Sequence, residues 1–530
     1  MSRDSFLKGA LVLTAAGVVV KMIGAVNRIV LSRLLGGEGI GLYQLAYPIY
    51  LLALSVSSAG LPVAISILVA EKVALSDTRG ARRIFHISFV VLTITGLFFS
   101  ILLYYGAGWL IESQFVRDER AYYALVALAP AIFCVTVMSS YRGYFQGQQT
   151  MIPTALSQII EQIVRVFVMI GLAYYLLSYG IEFAAAGASF GAAPGAACGL
   201  LLLIIYERRQ RQRNPDRFQR QRKVKESWFF IVSRMVRLAF PVSLANVMVP
   251  VVASIDLMIV PARLEIAGYT VQQATELFGY LTGMAVALIN VPAILTGALA
   301  ASLVPAVAQG FTLNRQEEVR QKLSTALTLA NAITVPAMCG LYLLATPISL
   351  MLYGTPNAGA AVSTLSLGIV FLGIHQVSTG VLQGLGHTTV PVVNMFFAAI
   401  IKIVLSYFLT ALPHFGIQGA ALATVADFAV GALLNMLFIY RVLGCCFSVD
   451  KCLATCAAAA VMGLTVLKTY DIVMIRVFSN TIATLASVAS AILIYGITLV
   501  LMGGIGLVDM ERLPRVGPLL VKGFRWVLRR

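Results

Sequence analysis

Lys21 and Arg28 stand seven residues apart inside the first apolar stretch of the sequence, and no acidic residue lies between Phe6 and Arg33. In a helix that spacing puts both on one face. At about 1.5 Å per residue from Phe6, Lys21 lies roughly 22 Å along the helix, past the centre of a bilayer. A cation at that depth costs several kcal/mol unless it meets a partner or a wet cavity, so the chemistry it offers is capture of an anion. Gly17 and Gly24 lie on or near the same face and would let a bulky anion reach the backbone. Arg28 has a second reading, snorkelling to outer headgroups, and Arg33 closes the stretch as a third substrate-contact candidate. Further charges sit inside later apolar stretches. Glu161 and Arg165 are in the favourable i,i+4 order, Lys402 and Asp427 lie near the middles of their stretches, and Asp256 near the outer end of its own. These read either as ion pairs that stabilise each half or as a coupling-ion or proton site. Arg263 either closes an external gate on the substrate or pairs with Glu265.

The elements that must carry these side chains are membrane spans. The chain is 59% hydrophobic and 12% charged, outside the usage of soluble domains. Fourteen stretches are apolar for the roughly 20 residues that a helix needs to cross about 30 Å of hydrocarbon, and in hydrocarbon the backbone makes them helical. The fold class expected is all-α and polytopic, with the first helix retained, because no short apolar core precedes a cleavage site. The net charge of +17 concentrates in alternate loops, which places both termini in the cytoplasm by the positive-inside rule. Its densest run, Arg208 to Lys225, attracts anionic membrane lipids; without interleaved aromatic residues or a binding module it does not read as a nucleic-acid surface.

The architecture is duplicated. Gly143 to Pro153 (GYFQGQQTMIP) and Gly380 to Pro391 (GVLQGLGHTTVP) look like copies of one turn offset by 237 residues, and Arg165 corresponds to Lys402 at the same spacing. Residues 1–206 form one six-helix lobe, 207–235 a basic linker, 236–440 a second lobe, 441–504 two added helices and 505–530 a basic tail. Six is an even number, so the two repeats are parallel and enclose a central cavity, as in secondary transporters. Other chemistry is absent. There is no phosphate-binding GxxxxGK[ST] loop, and the short external loops hold no acid pair or nucleophile triad. The seven cysteines and four histidines fit no zinc spacing. No cofactor, no metal and no enzymatic activity are expected.

Asn27 to Tyr50 (NRIVLSRLLGGEGIGLYQLAYPIY), followed by Gly60 to Lys72 (GLPVAISILVAEK), resembles the stage V sporulation protein B and MurJ-like polysaccharide flippases, whose superfamily includes multidrug and toxin extrusion transporters. The resemblance extends over the fourteen-helix layout. It implies translocation of an undecaprenyl-pyrophosphate-linked sugar, such as lipid II, across a bacterial cell membrane, and cell-wall synthesis proteins as partners. Ser32, Arg33 and Gly36 match the family's Ser-Arg-x-x-Gly element, whereas Gly39 and Ile40 stand where an Arg-Asp pair would follow; Lys21 and Arg28 would then supply the headgroup charge. Helices 13 and 14 resemble the pair that the family associates with a lipid-tail groove. A cation-coupled multidrug exporter with Asp427 or Glu161 as its coupling carboxylate is the alternative within the superfamily, and a membrane glycosyltransferase the alternative outside it.

Overall fold

Apolar sequence without water leaves the backbone no partner but itself, and in the computed structural model, which describes residues 3–58, 60–213, 227–444 and 449–504, all regular structure is helical. Most of the basic linker (214–226), Cys445 and Cys446 (in 445–448) and the basic tail (505–530) lie outside the described residues. Among the described residues, twelve helices are long and apolar enough to span a membrane, and a pair bent by 45°, Gly359–Ser366 with Gly368–Gly384, qualifies as one more. One of the twelve, Val12–Ala74, covers 63 residues, about 95 Å of rise and three times the hydrocarbon thickness. It divides at Gly36, where φ is 65° and ψ −170°, a backbone region essentially open to glycine alone. Taking its halves separately gives the fourteen spans that the sequence predicts.

The described residues fall into two compact units, Met1–Gly283 and Met284–Arg530. The first holds α1 (Arg3–Ser58), α2 (Leu61–Ala74), α3 (Thr78–Glu112), α4 (Tyr122–Gly147), α5 (Ile152–Leu176), α6 (Ile181–Phe190), α7 (Ala192–Arg213), α8 (Trp228–Ile266) and α9 (Val271–Phe278). The second holds α10 (Val286–Thr312), α11 (Gln316–Leu343), α12 (Ala345–Tyr353), α13 (Gly359–Ser366), α14 (Gly368–Gly384), α15 (Thr389–Leu409), α16 (Ile417–Leu443), α17 (Val449–Val477) and α18 (Asn480–Leu501). By sequence repeat, α8 and α9 open the second lobe; by packing they lie with the first, on α1 and α2.

The duplication is visible atom by atom. A Cβ on Gly143 would stand 2.7 Å from the Pro62 carbonyl oxygen, and one on Gly147 2.7 Å from that of Ser66. In the second unit a Cβ on Gly380 would stand 2.6 Å from the Ala300 carbonyl oxygen, and one on Gly384 2.8 Å from that of Val304. Each GxxxG pair thus brings its helix (α4 or α14) onto the backbone of a partner (α2 or α10), the small-residue packing that replaces the hydrophobic drive inside a membrane. Leu61, Ile65 and Phe145 close the core around the first pair, and Leu303, Val307 and Val381 around the second. The added helices α17 and α18 are fastened to the second unit through the Tyr495 hydroxyl, which donates to Ala332 O at 2.9 Å, and the Asn480 amide, which donates to Pro347 O at 3.0 Å. Exposed aromatic residues gather at helix ends, with Tyr104, Tyr105 and Trp109 on α3, Tyr174 and Tyr175 on α5, and Trp228, Phe229 and Phe230 at the start of α8, the positions of membrane-interface belts.

Gly380→Val and Gly143→Val should each lower the thermal midpoint of the detergent-solubilised protein, with overpacking penalties of about 1–3 kcal/mol. Gly171→Ala, with nothing within 4 Å of the added carbon, should leave the midpoint unchanged or raised; equal losses for all three would show that the close helix contacts carry no weight.

Candidate functional site

Ser157, Glu161 and Arg165 recur every four residues on α5 and so form one stripe. Arg142 reaches that stripe from α4. Its guanidinium donates to Glu161 Oε2 at 2.8 Å and to Ser157 Oγ at 3.2 Å, while Arg165 donates to Glu161 Oε1 at 2.7 Å. One carboxylate is shared by two guanidiniums, and the side chains are only 13–18% exposed. Tyr43, Tyr47 and Tyr50, spaced four and three residues apart on α1, present a ladder of rings with centroid separations of 5.3 and 5.7 Å. Arg165 interacts electrostatically with all three phenols, and Arg28 with Tyr43. Arg142, Glu161 and Arg165 carry a formal charge of +1, and Arg28, which acts on Tyr43 as Arg165 does, brings the group to +2. Among the described residues, Arg165 Nε and Asn27 Oδ1 are buried without a hydrogen-bond partner. Surplus positive charge, a spare guanidinium donor on Arg165 and phenols in a medium of low dielectric are what an anionic headgroup needs.

The other residues singled out from sequence are spread more widely. Lys21 and Arg33 are exposed, with no ion pair among the described residues, and Arg28 is half-buried. Gly17 borders open space, whereas Gly24 packs against the Gln162 side chain of α5, so the α1 face that carries Arg28 is partly a helix contact. Asp256 and Arg263 are half-buried on α8, and Glu265 meets Arg117 at 3.5 Å. Lys402 is buried on α15, 9% exposed, and Asp427 half-buried on the adjoining α16. The positions that correspond to Arg142, Ser157 and Cys198 in the second repeat are Thr379, Asn394 and Asn435. There the Asn435 amide donates to Thr379 Oγ1 at 3.0 Å and Asn394 donates to Asn435 Oδ1 at 2.9 Å. The second repeat thus has a neutral amide and hydroxyl network where the first has Arg142, while the charge of Arg165 persists there as the buried Lys402.

Arg142 and the tyrosine ladder give no functional signal by sequence position alone, and neither does a second set of contacts along α8 and α9. At one end of α8, Arg234 meets both oxygens of Glu71 on α2, at 2.9 and 2.7 Å; nearby, the Gly60 amide donates to Ser243 Oγ at 2.9 Å. At the other end, Arg117 meets Glu265, Thr275 of α9 donates to Asp118 Oδ2 at 2.8 Å, and Gln272 donates to Glu38 Oε1 at 2.7 Å. Arg120 bridges Glu38 and Asp118. The glycines Gly37 and Gly41 after the α1 kink let this end of α1 touch Tyr280 and the Thr275 backbone. Arg234 and Glu265 are 31 residues apart on α8, about 46 Å of rise, so α8 is tied to the other helices of the first unit near both of its ends.

Duplicated helical lobes with polar side chains buried at membrane depth define a multi-pass transporter of the flippase and exporter class. Residues 6–311 match the family described as polysaccharide biosynthesis protein, and residues 272–408 match the MatE family. Stage V sporulation protein B of Bacillus subtilis (strain 168) is 30% identical over 534 residues, covering 98% of this chain and all of that one. Lipid II flippase MurJ of the same organism is 26% identical over 485 residues, 87% of this chain and 88% of that protein. A solved structure described as lipid II flippase MurJ in an inward closed conformation superposes with a TM-score of 0.69 at 18% identity, covering 92% of this chain and 98% of that one, a likeness of fold. The chain belongs to the polysaccharide biosynthesis protein family.

Glu161→Gln should cost roughly 3 kcal/mol of stability in thermal or denaturant melts, because it leaves two half-buried guanidiniums without their shared partner. Lys21→Ala, which removes no ion pair, should leave the melt within about 0.5 kcal/mol of the parent.

Proposed function

We propose that this protein is an alternating-access flippase that carries an undecaprenyl-pyrophosphate-linked sugar, lipid II or a related wall or polysaccharide precursor, from the inner to the outer leaflet of a bacterial cell membrane, with both termini cytoplasmic. The observation that carries this reading is the surplus charge of the Arg28–Arg142–Glu161–Arg165 cluster. A pyrophosphate diester brings about two negative charges, which matches a site of +2, and bidentate guanidiniums with phenol donors suit its oxygens. Arg28, Arg142 and Arg165 are assigned to the headgroup, with Lys21 and Arg33 as the entry and exit cations of α1 and Arg263 at the external side. The name of one relative, lipid II flippase MurJ, supports the same substrate class.

Transport then requires α8 to release one end at a time. The Glu71–Arg234 contact closes the cytoplasmic side, and the Glu38–Arg120–Asp118 set with α9 closes the external side. An inside-negative potential favours outward passage of anionic cargo by about 2.3 kcal/mol per charge per 100 mV, roughly 5 kcal/mol for two uncompensated charges, so direction needs no nucleotide hydrolysis.

The MatE match over residues 272–408 supports one competing reading, a cation-coupled drug exporter with Asp256 or Asp427 as coupling carboxylate. Glu161, the other candidate carboxylate, accepts from an arginine on each oxygen. Proteoliposomes with fluorescent lipid II separate the two. The flippase reading expects leaflet exchange that accelerates with imposed potential and falls at least tenfold in Arg165→Ala, where a charge-assisted contact of about 1.5–3 kcal/mol is lost. Unchanged exchange in that variant, or ion-driven drug efflux without lipid exchange, overturns it.

Paired cysteines test the gating. In a cysteine-free background, Glu38→Cys with Gln272→Cys and Glu71→Cys with Arg234→Cys should each be bridged by a bifunctional methanethiosulfonate crosslinker, of a length that replaces the lost side chains, and the bridge should stop exchange until reduced. Full exchange with either bridge intact would mean that α8 does not open there.

A further inference from the structure

Between α10 and α11 lies a crevice of about 500 Å³ whose walls change character with depth. Near the α10–α11 turn it is lined by Glu318, Gln321, Lys322 and Thr325; further in it is lined by Leu299, Leu303 and Leu329. From Glu318 to Leu329 is eleven residues of one helix, about 16 Å of rise, which is half of the roughly 30 Å hydrocarbon core. Its depth is therefore that of one leaflet. Eight spans precede the α10–α11 turn, so the turn lies at the same membrane face as the N-terminus, the cytoplasmic face in the orientation proposed above.

The polar end holds a definite arrangement. Lys322 Nζ sits 2.7 Å from Glu318 Oε1 and donates to the Ala306 carbonyl oxygen of α10 at 3.1 Å, a contact that ties the two walls together. Glu318 also meets Arg315 at 3.5 Å. The Lys322 and Glu318 side chains line the crevice and are 30% and 41% exposed, so neither is sealed off from a ligand. A site of this volume takes a headgroup with the upper part of its chains. Of these three charged residues only Lys322 and Glu318 line the crevice, and a cation and an anion side by side in its wall favour a ligand that carries both signs: a purely anionic headgroup near Lys322 would also meet Glu318.

We propose that this crevice binds an inner-leaflet zwitterionic glycerophospholipid with a primary ammonium, of the phosphatidylethanolamine type. Lys322 takes the phosphate, Glu318 the ammonium, and an acyl chain follows Leu303, Leu299 and Leu329 toward the membrane centre. None of these residues belongs to the arginine cluster of the first unit or to the contacts of α8, so the site is separate from the cargo path proposed above. The cargo-flipping reading and this one can fail independently.

The test is native mass spectrometry of the full-length protein in detergent, with dioleoyl phosphatidylethanolamine, phosphatidylcholine and phosphatidylglycerol at equal concentration. The parent should retain phosphatidylethanolamine about fivefold over phosphatidylglycerol, the scale of one exposed charge contact, and prefer it to phosphatidylcholine, whose quaternary head donates no N–H. Glu318→Gln should bring the ratio to phosphatidylglycerol near one. Gln321→Trp should plug the mouth and remove all three lipids, with the thermal melt of each variant confirming that it is folded. Equal retention of all three lipids by the parent, or unchanged retention of phosphatidylethanolamine in a folded Gln321→Trp, overturns the proposal. So does displacement of the bound phospholipid by stoichiometric lipid II, which would make the crevice a cargo subsite.

Discussion

One carboxylate between two guanidiniums, at the depth of hydrocarbon, organises the first unit. A lone arginine in that medium is costly and a neutral Glu–Arg pair is only a way of hiding both charges. Glu161 does something else: its carboxylate offsets the repulsion between Arg142 and Arg165, each of which holds one of its oxygens, and it leaves the group positive overall. Arg165 can then lean on the tyrosine ladder of α1 with a donor to spare. Behind the cluster α7 lies close against α5: a Cβ on Gly195 would stand 2.7 Å from the Glu161 carbonyl oxygen. The cluster's positive surplus is useful only where water is scarce, since in bulk solvent the same three arginines would be screened within about 10 Å.

The second dependence is on α8. Sequence repeat assigns it to the second lobe, yet ion pairs and glycine contacts hold it to the first near both of its ends. A helix that is covalently part of one repeat and non-covalently part of the other is a natural moving part, because the contacts on either face can exchange without unfolding a lobe. The Gly36 kink matters here too: it redirects α1 so that Gly37 and Gly41 face α9, where any side chain would hold the backbones apart.

Duplication supplied two copies of one scaffold, and the copies have diverged at their polar centres. Arg142, Ser157 and Cys198 of the first repeat stand where Thr379, Asn394 and Asn435 stand in the second, and the neutral network of the second is satisfied internally. Among the described residues, two guanidiniums share a carboxylate in the first repeat, while the second keeps a buried cation, Lys402, at the position of Arg165. The second unit has instead acquired α17 and α18, fastened through Tyr495 and Asn480, and the graded crevice between α10 and α11.

Much of this was legible before folding. Apolar stretches of about 20 residues have one physical solution in hydrocarbon, so the number of spans, their helical form and the parallel repeats follow from hydropathy and from the 237-residue echo. The i,i+4 relation of Glu161 and Arg165 is local, and a helix brings such residues together whatever surrounds it. Arg142 was different: it stands near the predicted end of its span, where an arginine is the ordinary expectation, and only the packing of α4 on α5 places it 2.8 Å from Glu161. The tyrosines, the Glu38–Arg120–Asp118 set and the Glu71–Arg234 contact likewise join residues far apart in the chain. Which of the intramembrane charges share a site is a matter of helix rotation and contact, set by glycine sterics between helices, and no pattern within a single helix encodes it.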